Sequence, residues 1–116
     1  MKKKAYLGLW VIFLHLGPEK GHRFTNLIEI EDGDAREYKG AWANVIVKGK
    51  TIHEALEILP LGLKELCFEI IFIDAVQNVY TLADNNELNK NILEECDWLL
   101  KTKYKYMISD KLFPYV

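Results

Sequence analysis

The stretch Ala41–Asp74, AWANVIVKGKTIHEALEILPLGLKELCFEIIFID, decides the fold class of this chain. Trp42–Lys48 alternates as a strand, and Gly49-Lys50 breaks it. Thr51 with Glu54 then forms a T-x-x-E capping box, in which the threonine oxygen accepts from a first-turn N–H and the glutamate reaches back to the Thr51 N–H. Ile52, Ala55, Leu56, Leu59, Leu63 and Leu66 recur at helical spacing along one stripe. Pro60 removes the N–H that would bond the Leu56 carbonyl and predicts a kink or a split in that helix. Phe68–Val76 follows as a strand, apolar at nearly every position except Glu69 and Asp74. A strand–helix–strand unit of this length predicts a parallel pair with a right-handed crossover.

Upstream, residues 5–16 are apolar on both alternating faces, which predicts an interior strand covered above and below. Gly17-Pro18-Glu19-Lys20-Gly21 is turn chemistry, and His22–Glu31 alternates, with Phe24, Ile28 and Ile30 on one side. The two runs predict an antiparallel hairpin over residues 5–31. A polar loop beginning at Asp32-Gly33-Asp34 then leads to Gly40.

Downstream, Val79–Ala83 reads as a short strand and Asn86–Thr102 as a helix capped by Asp84 or Asn85, with Leu88, Ile92, Cys96, Leu99 and Leu100 inward. Tyr104–Ser109 reads as a closing strand, and residues 110–116 as a docked tail. The whole is expected to be one α+β domain spanning 1–116: the hairpin, then β-α-β-(β)-α-β from 42 to 109. As a two-layer sandwich it would hold a mixed sheet of about five or six strands with two helices mainly on one face. With Val79–Ala83 as a strand, the C-terminal part takes ferredoxin-like order.

The composition of the 116 residues, half of them apolar with a net charge of −2, suits a soluble domain with its own core. That balance speaks against nucleic acid as a partner, because such binders usually carry a strongly basic face. Lys2-Lys3-Lys4 before the apolar run imitates a signal peptide. However, no A-x-A cleavage pattern follows and the run is short of a membrane span, so a buried strand and a cytoplasmic, membrane-free protein are expected. Cys67 and Cys96 sit in apolar surroundings and read as small core residues.

Catalytic and metal motifs do not appear. The only serine, Ser109, lies outside any G-x-S-x-G elbow, and there is no Walker loop or G-x-G-x-x-G. No metal or other cofactor is expected. His15, His22 and His53 fall in separate elements, and neither His53 with a neighbouring carboxylate nor the His15/His22 turn supplies the ligands zinc requires. Glu94, Glu95 and Asp97 read either as an acidic contact surface or as a solvated helix face, and Lys101, Lys103 and Lys105 among Tyr104 and Tyr106 as charges at a helix end rather than a strand that stacks bases.

Two candidate sites remain. A partner surface is expected from Tyr38, Trp42 and Asn44 together with the acidic Glu29, Glu31, Asp32 and Asp34, a combination suited to a basic protein or to self-association. The alternative is a small-molecule or catalytic pocket around Asp74, with His53 and Glu57 beside it. In size and mild acidity the chain resembles the small accessory proteins that bacteria encode as immunity or adaptor partners. That resemblance implies a non-enzymatic interaction domain.

Overall fold

At the centre of the fold lies β1 (Leu9–Pro18), whose double-faced apolar run is paired on both sides. The computed structural model describes residues 2–21 and 40–115. Within them β1 is joined by β2 (Gly40–Lys48), β3 (Phe68–Asn78) and β4 (Tyr106–Tyr115). The strand order is β3-β1-β2-β4, and every pairing is antiparallel. Three helices complete the architecture: α1 (Ile52–Glu65), α2 (Val79–Asp84) and α3 (Lys90–Leu100). Residues Lys2–Ala5 and Tyr6–Gly8 form helical turns ahead of β1, so the strand starts later than its apolar run. The α+β class holds. The mixed sheet gives way to an antiparallel one, with four strands among the described residues. The second hairpin strand and the loop to Gly40 fall outside those residues.

The strand–helix–strand unit is present, but its strands are not neighbours. β2 and β3 each run antiparallel to β1, hence parallel to one another, with β1 inserted between them. The helix joining them must therefore pass over β1. This serves the apolar run directly: Ile12, Leu14 and Leu16 on one face of β1 bury against Ala55, Leu59 and Leu63 of α1, together with Ala43, Val45 and Val47 of β2. On the other face, Leu9 and Val11 join Ile46 of β2 and the inner residues of α2 and α3, namely Val79, Leu82, Ile92, Cys96 and Leu99. Helices thus cover both faces of the sheet. A strand buried on both sides requires two covers, which a two-layer sandwich lacks.

Local chemistry explains the element boundaries. Thr51 caps α1 by accepting from the Glu54 N–H at 3.1 Å. The helix continues through Pro60, which lies on its exposed side, so the deprived Leu56 carbonyl one turn back falls on much the same side. It ends at Cys67, whose φ of 64° places it in the left-handed region usual for a residue closing a helix, with its N–H bonded to the Lys64 carbonyl. Cys67 is therefore a helix terminator and only half-buried.

Val79–Ala83 is helical because Asn78 caps it, its side chain accepting from the Tyr80 N–H at 3.0 Å. That removes the strand on which ferredoxin-like order rested. Asn86 (φ 56°) closes α2 with the Glu87 N–H bonded to the Leu82 carbonyl. The cap of α3 is accordingly Asn89, which accepts from Ile92, rather than Asp84 or Asn85. The tail continues β4 as far as Tyr115, which pairs with Gly40. Pro114 is compatible because β4 is an edge among the described strands.

Two tyrosine hydroxyls tie separate elements together. The Tyr6 hydroxyl donates to Asp97 Oδ1 at 2.6 Å, tying the N-terminal turn to α3. The Tyr106 hydroxyl donates to the Gly62 carbonyl at 2.9 Å, and the Tyr106 ring packs so close that a Cβ on Gly62 would sit 2.6 Å from it. Gly62→Ala should therefore lower stability by about 1–3 kcal/mol through overpacking. The intrinsic helix gain of about 1 kcal/mol for alanine only partly offsets that. Urea midpoints of Gly62→Ala, with and without Tyr106→Leu, check this, since the smaller partner should remove most of the cost.

Burial pushes the Cys96 thiol from 9.0 up to about 12, and burial followed by the Asp97 hydrogen bond pushes Tyr6 from 10.0 up to about 12. Both groups hold their protons more tightly when folded, so their contribution is complete below pH 9 and is lost as pH rises from 9 to 12. Urea unfolding across that range should show falling stability. Tyr6→Phe should flatten the segment above pH 10, where the unfolded phenol ionises.

Candidate functional site

Register decides which side chains meet on the sheet. His15 of β1 lies opposite Trp42 of β2 on one side and Phe72 of β3 on the other, and Trp42 lies opposite Phe113 of β4. Directly paired residues point to the same face, so Phe72, His15, Trp42 and Phe113 form one row across all four strands. Phe13 joins it from β1, stacked on Trp42 with centroids 5.1 Å apart at 21°. The His15 ring stands edge-on to Trp42 at 80°, and Phe72 closes on it at 6.4 Å. The row shares a face with α2 and α3, but none of its members belongs to the cluster beneath those helices. Phe72 and Phe113 are each 56% exposed, while Phe13, His15 and Trp42 are half-buried.

Beside this row β4 is irregular. Ala43 pairs with Leu112 but Val45 pairs with Ile108, so Ser109–Lys111 face the single residue Asn44. Ser109 is buried in this bulge and its hydroxyl donates to Glu95 Oε1 of α3 at 2.9 Å. The pair braces α3 against the sheet next to the aromatic row. Neither the bulge nor its partner could be read from the chain, because Ser109 and Glu95 gain their roles only from register.

β3 is the other edge among the described strands and is bulged twice. Between Leu16↔Ile70 and His15↔Phe72 it carries Ile71 as an extra residue, and between Leu14↔Ile73 and Phe13↔Ala75 it carries Asp74. Bulges and charges of this kind blunt an edge against continued strand pairing, though Ile71, Phe72 and Ile73 stay exposed there.

The expected site residues distribute as follows. Trp42 and Asn44 lie on this face of β2, half-buried. Tyr38, Glu29, Glu31, Asp32 and Asp34 lie outside the described residues. Asp74 is the exposed extra residue of the β3 bulge, and His53 and Glu57 are exposed on the first turns of α1. Three shallow clefts of about 380–400 Å³ are lined by other residues. Among the described residues no group of three or more His, Cys, Asp or Glu side chains is placed to hold a metal ion. No described helix is long and apolar enough to cross a membrane. Comparison with protein-family models, curated proteins and solved structures returned no match to this chain.

Losing the Ser109 hydroxyl strips the buried face of Glu95 of a donor, so Ser109→Ala should cost about 1–3 kcal/mol. Denaturant midpoints at neutral pH, compared with Thr102→Ala as a partly buried hydroxyl control, provide the measurement.

Proposed function

We propose that this chain is a non-catalytic protein-interaction domain, and that the aromatic row Phe72–His15–Trp42–Phe113 is its contact surface. The carrying observation is that four strands each contribute one ring-bearing side chain to a single line, with both ends open to solvent. Aromatic residues dominate binding energy at interfaces because they bury large area at low entropic cost. Half-exposed rings in a row also form the kind of apolar patch that marks a docking surface.

The partner is a basic protein. The sequence entering β2 carries Glu29, Glu31, Asp32, Asp34 and Glu37, and the neighbouring β3 edge adds exposed Glu69. Acidic surroundings would steer and orient a cationic partner, while the rings supply affinity. Such a role suits an immunity- or adaptor-type accessory protein acting in the bacterial cytoplasm.

The test begins with affinity purification from the native host, followed by binary titration of the recovered protein against the purified chain. Phe72→Ala and Phe113→Ala, both at exposed positions, should each weaken binding by about tenfold or more. Affinity should also fall with salt, as acidic–basic contacts are screened. Asp74→Asn separates the second reading, a small-molecule pocket around Asp74, because it should leave ring-mediated binding almost unchanged. A recovered partner that binds the two phenylalanine variants as tightly as the native chain would overturn the assignment.

A further inference from the structure

Across the whole chain, 15 basic and 17 acidic side chains nearly cancel, but the lysines are not evenly placed. A cleft of about 400 Å³ opens where the N-terminal turn, the end of β2, the first half of α1 and the α3–β4 connection meet. Lys48, Lys50, Lys103 and Lys105 line it, with Glu54 as the acidic residue among its walls. Lys48 is pinned there, its Nζ donating to the Thr102 carbonyl at 2.7 Å, which leaves two further N–H donors on the same ammonium. Lys50, Lys103 and Lys105 are exposed. Four ammonium groups around one opening repel each other and are offset by a single carboxylate, so the cleft attracts multivalent anions.

A second cleft of about 380 Å³ continues from the first, sharing Ile58, Lys103 and Lys105 and adding Leu61, Gly62, Tyr104, Tyr106 and a second carboxylate, Glu65. Glu65 accepts from the Tyr106 hydroxyl at 3.4 Å, and across both clefts four lysines face two carboxylates. Tyr104 is stacked on Trp98 at 5.9 Å and 14°, and the two rings are 65% and 49% exposed. The lysine cleft therefore opens directly beside a flat aromatic stack. A cationic groove next to stacking rings is the arrangement by which proteins hold nucleotides without reading their sequence. This surface involves none of the residues in the aromatic row on the sheet, and it does not depend on the interaction proposed above.

We propose that the paired clefts bind nucleotides, with phosphates among Lys48, Lys50, Lys103 and Lys105 and a base against the Tyr104–Trp98 stack. The near-neutral total charge conceals the site because its lysines come from two segments about fifty residues apart.

Two probes, ATP and fluorescein-labelled oligothymidylates of increasing length, are titrated against the full chain at low salt. Both arms test the same chemistry: comparable affinities assign a free nucleotide, and oligothymidylate affinity rising with length assigns a single strand. The double variant Lys50→Glu/Lys103→Glu should weaken binding by about tenfold or more, with the salt slope reduced by about 0.7 per lost contact in the single-strand arm. Lys64→Glu/Lys90→Glu makes the same change in net charge at exposed lysines that line neither cleft, and should alter affinity much less. Tyr104→Ala should weaken the tighter probe by about fivefold or more. Absence of saturable binding by either probe overturns the proposal, as does equal weakening by the two lysine pairs. Tripolyphosphate competing as well as ATP, with Tyr104→Ala silent, overturns the base contact and with it the nucleotide assignment.

Discussion

The constraint on which this structure depends is that β1 is apolar on both faces. Leu9, Ile12, Leu14 and Leu16 have no exposed surface, and Val11 very little. Burying such side chains contributes roughly 1.5–3 kcal/mol each, so leaving either face open would forfeit a large part of a small domain's stability. Both faces must be covered and both edges paired. The remaining architecture answers these demands: β2 and β3 take the edges, α1 covers one face while crossing between them, and α2 with α3 cover part of the other. Where that second cover ends, the rings of the aromatic row begin.

Much of this could be read along the chain, since the determining patterns are local. The Thr51 cap, the apolar stripe of α1 and the two-sided run of β1 each lie within one short stretch of about fifteen residues or fewer. The chain is ambiguous where one local pattern has two meanings. Val79–Ala83 is short and apolar, which suits a strand or a buried helix equally, and the Asn78 side chain bonded to the Tyr80 N–H resolves it. Asp84 and Asn85 look like the start of a helix, but left-handed Asn86 makes that region the end of one. The crossover was recognisable, yet nothing local says that an earlier strand will be inserted between its two ends.

The aromatic row was legible in fragments. Trp42 and Asn44 could be singled out from residue type and position, but their neighbours Phe72, His15 and Phe113 come from three other strands. Antiparallel register and two bulges in β3 bring these together, and neither is written in any short window. Asp74 shows the reverse case. Its alternation with Ile70 and Phe72 suggests a shared face, but the bulge at Ile71 breaks that alternation and the bulge at Asp74 itself turns it into an exposed extra residue.

The central position of β1 also bears on how the chain folds as it is made. β1 precedes its partners in the chain, whereas β3 ends at Asn78 and the cover from α3 extends to Leu100. Long-range antiparallel pairings close slowly because the loop entropy must be overcome before any contact rewards it. On the ribosome, this strand therefore emerges before the strands and helices that bury it, open to mispairing until they have followed. A molecular chaperone that shields residues 9–18 during synthesis would protect the one segment around which every later element must assemble.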